Sequence, residues 1–399
     1  MFSLIPSGSI TDVPGFSSGA VRAGIKSTGE LDLALLFSRV PCVAAGVFTR
    51  NRVKSASVIL SREHLAIACA QAIVVISGCA NACVGERGMV NAVEIVGLVA
   101  AKLRISPDDV LLASTGVIGS PLPMVCVRRG IEQIVLKENG GHDMARAMMT
   151  TDTVAKEVSL QVRIGDVDIT VAGVAKGVGM IHPDMATMLC FVATDALVEA
   201  DFLREALKRA VAISFNMISV DGDTSTNDCV FLLANGLAGG ESINSRNGGV
   251  FQEALNEVCI HLAKSMVRDG EGATKLIEVV VERAKNQEEA CCAARAVASS
   301  LLVKAAVHGS DPNWGRVVAA LGRSGAQVKE SKLGICLNDV CLMKEGNAIP
   351  FDAEKLKLSL KNSDCVVINA ELGLGNSGAI AWGCDLSEEY ATINSAYTT

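Results

Sequence analysis

The sequence predicts an α/β or α+β protein in which strands from both halves of the chain share sheets. Two observations predict this class. Segments with the apolar alternation of strands and segments with the apolar spacing of helices follow one another along all 399 residues. The sequence has no internal repeat and no low-complexity segment. Half of the residues are hydrophobic while only 4% are aromatic, so the core is expected to be aliphatic. The chain is long enough for two domains or for one large unit.

The first half of the chain supplies the clearest strand–helix–strand pattern. "QAIVVISG" and "DVLLAS", residues 71–78 and 109–114, predict short buried strands. Between them, "ERGMVNAVEIVGLVAAKL" predicts a helix with Val90, Val93 and Leu98 among its apolar positions. Further along, "SLQVRIGDVDITVAG" alternates on both sides of Gly165-Asp166 and predicts a hairpin.

The second half continues the alternation. "ATMLCFVATD" predicts a strand, and "ADFLREALKRAVAI" predicts an amphipathic helix. "FQEALNEVCIHLAKSM" predicts a second helix and "KLIEVVVERA" another strand, while the last sixty residues are expected to be mostly β, with a hairpin around Asn338-Asp339. The apolar positions that define the two helices are Leu203, Leu207, Val211, Leu255, Val258, Leu262 and Met266.

Composition excludes several classes of protein. The 36 basic and 43 acidic residues are spread evenly and show no basic stripe with aromatic residues, so no nucleic-acid partner is expected. No window of 18 uninterrupted apolar residues predicts a membrane span, and the N-terminus does not match a signal peptide. The fourteen cysteines lack any C-x-x-C spacing. We therefore expect a soluble cytoplasmic protein with reduced, buried cysteines and without a structural metal.

Three motifs have simpler explanations than a site. "GLGNSG", residues 373–378, precedes a segment without helical pattern, which favours a tight turn or β-bulge over a dinucleotide site. "VDGDTSTND", residues 220–228, lacks calcium-loop spacing; it is typical of a self-bonded turn, although a substrate-facing loop stays open. His182 has no nucleophile motif to join and is expected to be a solvated loop residue.

The segment "KGVGMIHPDMATMLCF", residues 176–191, sets an irregular loop directly against an apolar strand. Gly177, Gly179 and Pro183 allow or impose unusual backbone angles. Ala186 leaves its carbonyl accessible, and the β-branched Thr187 can aim its hydroxyl at that carbonyl. Such a joint can cleave itself, after which the new α-amine can act as base for its own hydroxyl. An ordinary threonine at the start of a strand remains the alternative.

A series of motifs along the chain resembles the ornithine acetyltransferase (glutamate N-acetyltransferase) family. The motifs occur in family order and cover essentially the whole sequence: "GFSSGAVRAGIK…DLALL", "AAGVFTRN", "SGCANACVGERG", "STGVIG", "MMTTDT", "KGVGMIHPDMATML", "SVDGDTSTND", "DGEGATK", "DPNWGR" and "NSAYTT". The family normally has Pro-Asn before the cut, whereas this chain has Pro183-Asp184.

The resemblance implies acetyl transfer from N-acetylornithine to glutamate in arginine biosynthesis, with acetyl-CoA left open as a further donor and no cofactor. It implies cleavage between Ala186 and Thr187, which gives chains 1–186 and 187–399 that fold together into one catalytic unit and assemble as a heterotetramer. The implied fold is a layered α/β sandwich of sheets and helices, similar to N-terminal-nucleophile hydrolases but differently connected.

The resemblance also implies roles for single residues. Thr187 is the nucleophile of a ping-pong reaction, and Thr115 and Gly116 form the oxyanion hole. The implied substrate contacts are Thr153, Lys176, Thr187, Glu271, Asn394 and Thr399. Two alternatives stay open: a self-cleaving amidase or aminopeptidase that uses the same threonine, and a binding protein that keeps the fold without catalysis.

Overall fold

The computed structural model describes residues 2–182 and 188–396. Two mixed β-sheets with helices packed against them account for these residues, which confirms the predicted α/β class. The first sheet has nine strands in the order β1-β6-β7-β8-β10-β3-β4-β5, with β2 paired to β3. Its strands are β1 (Ser3–Leu4), β2 (Phe16–Val21), β3 (Leu33–Phe48), β4 (Cys69–Cys79), β5 (Val110–Val117), β6 (Lys156–Ile164), β7 (Val167–Lys176), β8 (Leu189–Val198) and β10 (Cys229–Ile243).

The second sheet has seven strands in the order β14-β13-β12-β15-β11-β16-β9, all from the second half of the chain. Within it β11 runs parallel to β15 and antiparallel to β16. Its strands are β9 (Ile218–Ser219), β11 (Leu276–Ala284), β12 (Gly334–Leu337), β13 (Val340–Lys344), β14 (Asn347–Ala348), β15 (Cys365–Glu371) and β16 (Ser377–Cys384).

Eleven α-helices occur within the described ranges. Six of them are α1 (Ala56–His64), α2 (Glu86–Leu103), α3 (Met124–Gln133), α4 (Gly141–Met148), α5 (Ala200–Ile213) and α6 (Gly249–Arg268). The other five are α7 (Gln287–Ala298), α8 (Leu301–His308), α9 (Trp314–Gly322), α10 (Ala353–Lys361) and α11 (Glu388–Ala396). Of these helices none alone is long and apolar enough to span a membrane, and only the bent pair α7 and α8 passes that test together.

Helix α6 joins the two sheets. It contacts β6 and β7 of the first sheet and β16 of the second, and its side chains belong to one core cluster with residues of both sheets. The predicted apolar positions of α5 and α6, Leu203 and Leu255 among them, are fully buried there. The layered arrangement therefore follows from the amphipathic pattern of these helices.

Strands from both sides of the predicted cut share the first sheet, as the sequence predicts. β7, which ends at Lys176, pairs antiparallel with β8, and Lys176 lies opposite Leu189. β8 in turn pairs with β10 in parallel. The predicted hairpin at Gly165-Asp166 is also confirmed as the β6–β7 pair. The segment between Lys176 and Leu189 thus leaves and re-enters the sheet at the same end of two neighbouring strands.

Helix α2 is confirmed, but two of the apolar positions that mark it in the sequence are not buried. Val90 and Val93 are 63% and 52% exposed, whereas Ala92, Ile95 and Val99 are fully buried. The helix carries apolar residues on most of its circumference, so spacing alone cannot tell which row packs on the sheet. The buried row of α2 contains Ile95, Val96 and Val99, which belong to the core cluster that includes residues of β4 and β5.

Three further predictions about the second half need correction. The last sixty residues are not mostly β, because α10 and α11 lie among the strands. Cys336 and Cys341 form a disulfide, since the register of the β12–β13 hairpin places them opposite each other; the other twelve cysteines are free, and not all are buried. The "GLGNSG" motif is neither the tight turn nor the β-bulge that was expected: it connects β15 to β16, which lie on either side of β11, as a loop that passes the end of β11 with Gly373 at a φ of +64°.

Candidate active site

A cavity of about 120 Å³ opens where β5 and β7 of the first sheet end. Its wall includes five of the residues that the sequence nominated, although they lie up to 279 positions apart in the chain: Thr115, Gly116, Lys176, Glu271 and Asn394. Segments from both sides of the predicted cut therefore build one site.

Thr115 and Gly116 reach the cavity because β5 pairs in parallel with β4, which sets Gly116 beside Gly78. Gly116 has a φ of +125°, and a Cβ there would lie 2.3 Å from the Gly78 carbonyl carbon. Only glycine fits this close approach of two strands. The glycine in "STGVIG" is thus required by the backbone that presents Thr115.

Lys176 ends β7 and is only 4% exposed. Its Nζ donates to Thr150 Oγ1 at 2.8 Å and to Thr115 Oγ1 at 3.3 Å. Burial lowers the pKa of Lys176, and the negative charge of Asp152 is the main opposing influence. The ammonium group is therefore held against two hydroxyl groups on the cavity wall.

Glu271 forms another part of the cavity wall. Its carboxylate accepts from Thr151 Oγ1 at 2.7 Å and from Asn394 Nδ2 at 2.7 Å. Gly179 packs against it, and a Cβ on Gly179 would lie 2.6 Å from the carboxyl group. Helix α11, which carries Asn394, thereby closes the cavity from the C-terminal side.

The loop 220–228 has the properties of both structures that the sequence left open, a hydrogen-bonded turn and a loop that faces the substrate site. It is bonded to its surroundings: Asp221 accepts from the backbone N–H groups of Met180 and Ile181, and Asn227 Nδ2 donates to the carbonyls of Ala80 and Ser114. It also lines the cavity through several of its residues. Burial raises the pKa of Asp221.

Asp228, the last residue of this loop, lies at the point where β8 begins. Its Oδ1 accepts from the Met188 N–H at 2.9 Å, and that nitrogen belongs to the peptide bond that joins Thr187 to Met188. The side chain is buried, and burial raises the pKa of Asp228 well above its usual range. Sequence reasoning did not single out this residue.

Thr153 is not brought to the cavity wall. It is exposed, and both its N–H and its hydroxyl donate to Asp269. Its neighbours Thr150 and Thr151 line the cavity instead. The signal for them was the motif "MMTTDT" as a whole, because three threonines in four positions cannot all face the same way.

The remaining residues that the sequence analysis singled out do not line the cavity as the structure describes it. Ala186, Thr187 and Thr399 lie outside the described residues. His182 is partly buried and lies 3.2 Å from Ser219 Oγ, so it is not the solvated residue that was expected. The reason is that the neighbouring Ile181 carbonyl accepts from Val220 N–H, which draws this segment onto β9.

Comparison with known proteins identifies the family of this chain. The ArgJ family model matches residues 17–399. Two relatives, each called arginine biosynthesis bifunctional protein ArgJ, are those of Dehalococcoides mccartyi, 50% identical over 99% of this chain and 98% of the relative, and Symbiobacterium thermophilum, 51% identical over 98% and 99%.

A solved structure of the ArgJ protein from Bacillus halodurans is 42% identical, with a TM-score of 0.51. It covers 52% of this chain and 98% of that chain. The match of the family model over nearly all residues, together with relatives of this similarity over their whole length, shows that the chain belongs to the ArgJ family.

Proposed function

We propose that this protein transfers an acetyl group from N-acetylornithine to glutamate in arginine biosynthesis. The observation that carries the proposal is the wall of one cavity, where Thr115 and Gly116 lie together with Lys176, Glu271 and Asn394. Membership of the ArgJ family supports the same activity, since its relatives are named for arginine biosynthesis.

The reactive group is Thr187, set free by cleavage after Ala186. Lys176 lies opposite Leu189 in the β7–β8 pair, so the segment with the cut both starts and ends beside the cavity. The relative from Bacillus halodurans supports two separate chains, because nearly all of its solved chain corresponds to only about half of this one. The products are chains 1–186 and 187–399, which assemble as a heterotetramer.

The reaction proceeds in two halves. Thr187 Oγ attacks the acetyl carbonyl of N-acetylornithine while the Thr187 α-amine takes the hydroxyl proton. The Thr115 hydroxyl and the Gly116 N–H donate to the oxygen as it becomes negative. The bond to nitrogen then breaks, the proton passes to the leaving ornithine amine, and an acetyl ester remains on Thr187. The glutamate amine attacks this ester and releases the threonine.

The substrate is an amino acid, and the wall offers charges of both signs. The Glu271 carboxylate suits an ammonium group, and the Lys176 ammonium suits a carboxylate. Asn394, Thr399 and Thr153 are the further contacts that we propose; of these, Asn394 already bonds to Glu271. Thr153 would contact the substrate only if its hydrogen bonds to Asp269 were broken and replaced by bonds to the substrate.

Acetyl-CoA is a second candidate donor, because the relatives are called bifunctional. The enzyme works without a cofactor in our proposal, and we expect it in the cytoplasm, where amino-acid biosynthesis takes place. A self-cleaving amidase would use the same threonine but would pass the acetyl group to water.

A donor panel tests the proposal. N-acetylornithine and acetyl-CoA are each supplied with and without glutamate, and N-acetylglutamate, ornithine and acetate are measured. With N-acetylornithine as donor and glutamate present, the proposal predicts N-acetylglutamate and ornithine in equal amounts, with little acetate. Acetate formed at the same rate without glutamate would indicate a hydrolase instead. Thr187→Ala is the matched control and should form no N-acetylglutamate.

A further inference from the structure

Two hydroxyl groups of the cavity wall share one cation. Lys176 Nζ donates to both Thr115 Oγ1 and Thr150 Oγ1, as described above. Within residues 2–182 and 188–396, neither hydroxyl has an acceptor for its own hydrogen. Both threonines line the cavity, so both hydrogens are available to a group bound there.

The chemistry of lysine fixes the direction of these bonds. An ammonium group has three donors and no acceptor, so each threonine oxygen must accept from it. A hydroxyl that accepts from a cation points its own hydrogen away from that cation. Lys176 therefore turns both hydroxyls into donors before a substrate arrives, which is the arrangement that stabilises a developing oxyanion most effectively.

Asp152 fixes the backbone on both sides of this arrangement. Its buried carboxylate accepts from the Gly177 N–H at 2.8 Å and from the Thr150 N–H at 3.1 Å. Gly177 directly follows Lys176, so one carboxylate holds the segments that carry the donor and the acceptor of the Lys176–Thr150 bond. Lys156 Nζ completes the cluster at 2.8 Å from Asp152.

We propose that Lys176 and Asp152 are positioning residues for acetyl transfer: Lys176 aims the hydroxyls of Thr115 and Thr150 at the acetyl oxygen, and Asp152 holds the backbone that carries Lys176 and Thr150. The inference rests on the proposed function and adds Thr150 as a second hydroxyl donor. It assigns Lys176 an effect on the chemical step that is separate from any contact with the substrate carboxylate.

The charges around Lys176 give the inference a pH signature. Burial lowers the pKa of Lys176, and the charged groups that face it are Asp152, Lys156, Asp228, Glu271 and Lys26. Asp152 raises that pKa more than any other of them. Removing its charge should therefore lower the pKa of Lys176 further, and kcat should begin to fall at a lower pH on the alkaline side.

The first test compares Thr150→Val with Thr150→Ser. Valine has a similar shape but no hydroxyl, and we expect kcat to fall by about 10²–10³ while KM changes little. Serine keeps the hydroxyl and should stay within a few-fold of the unmutated enzyme. A rise of KM alone in Thr150→Val, or equal kcat values for both variants, would overturn the role of Thr150 as a donor.

The second test records kcat against pH for Asp152→Asn, with Asp168→Asn as the control, because Asp168 is exposed and pairs with the exposed Arg163. The alkaline limb should move to lower pH in Asp152→Asn and stay in place in the control. Coincident profiles would refute the role of Asp152. Intact mass measures the cleaved fraction of each variant, so that rates refer to cleaved enzyme.

These outcomes separate the inference from the function on which it rests. If the unmutated enzyme forms no N-acetylglutamate, the proposed function fails. If it is active and the Thr150 and Asp152 variants behave like it, only the inference fails. Should Asp152→Asn not fold, the comparison of the two Thr150 variants still decides whether the Thr150 hydroxyl acts as a donor.

Discussion

At the scale of single residues, the cavity depends on close contacts that allow few substitutions. Gly116 and Gly179 each stand where a Cβ would collide, one with the Gly78 backbone and one with the Glu271 carboxylate. They bring Thr115 and Glu271 into the same small space. The absence of a side chain at Gly116 and Gly179 therefore allows Thr115 and Glu271 to lie on the wall of one cavity.

We expect Thr115→Ala to lower kcat by about 10²–10³ and to leave KM nearly unchanged. The hydroxyl of Thr115 is engaged chiefly when charge develops on the acetyl oxygen, so its loss affects the transition state more than the bound substrate. Steady-state kinetics with N-acetylornithine and glutamate measure both constants. A normal kcat with a raised KM would place Thr115 in substrate binding.

The ionised carboxylate of Asp152 should make the free energy of unfolding depend on pH in the acidic range. Burial alone would raise its pKa, but Lys176 and Lys156 together with hydrogen bonds bring it to about 2. Because this value lies below the ordinary pKa of about 3.9, its contribution is complete above that pH and is lost as the pH falls toward 2.

The corresponding measurement is the difference in thermal stability between the unmutated protein and Asp152→Asn. The difference should be constant from pH 7 to pH 5 and should shrink from about pH 4 downward. A difference that stays the same at pH 3.5 would show that the carboxylate charge does not contribute.

Most of the residues that the sequence motifs single out lie on the cavity wall, so the motifs predicted these positions. Thr115, Gly116, Lys176, Glu271 and Asn394 all reach the cavity. Thr153 does not, because in a run of adjacent threonines only the local backbone decides which side chain faces inward. The bonds of His182 to β9 were equally invisible in the sequence, since they depend on packing between distant segments.

At the scale of helices and strands, periodicity predicted the type of most elements but not always the face that is buried. Helices α5 and α6 have one apolar stripe, and it is buried as predicted. Helix α2 is apolar on most sides, so its sequence pattern does not show which side packs on the sheet. Helix α11 has Tyr390 and Ile393 as its large apolar residues, so its sequence shows little amphipathic pattern, although the helix brings Asn394 to the site.

Removal of "NSAYTT", residues 394–399, should weaken substrate binding and raise hydrolysis relative to transfer. The deletion removes Asn394 from Glu271 and opens the cavity to water, which competes with glutamate for the acetyl group. The ratio of acetate to N-acetylglutamate measures the effect. Unchanged transfer and hydrolysis would show that this end of the chain is not part of the site.

At the scale of the whole molecule, the first sheet makes the two predicted chains inseparable without unfolding. β8 and β10 from the second half lie between β7 and β3 from the first, with continuous pairing on both sides. Separation would leave two strand edges unpaired and expose the core between them. Sharing of strands was predictable from the even alternation along the chain, whereas the order of strands was not.

We therefore expect chains 1–186 and 187–399 to elute together in native size-exclusion chromatography and to separate only in denaturant. Because the strands at the boundary are paired before the cut, cleavage should change the melting temperature little. Comparison of the cleaved protein with uncleaved Thr187→Ala measures that change. Dissociation of the chains under native conditions would contradict the shared sheet.

The central claim is that the protein is a transferase that works through Thr187. Detection of the acetylated enzyme tests this claim most directly. The purified protein is incubated with N-acetylornithine in the absence of glutamate, and the intact mass of each chain is recorded. The proposed reaction predicts one acetyl group on the chain 187–399, none on the chain 1–186, and loss of the label when glutamate is added. Active enzyme whose chains stay unmodified, or an acetyl group on the chain 1–186, would contradict it.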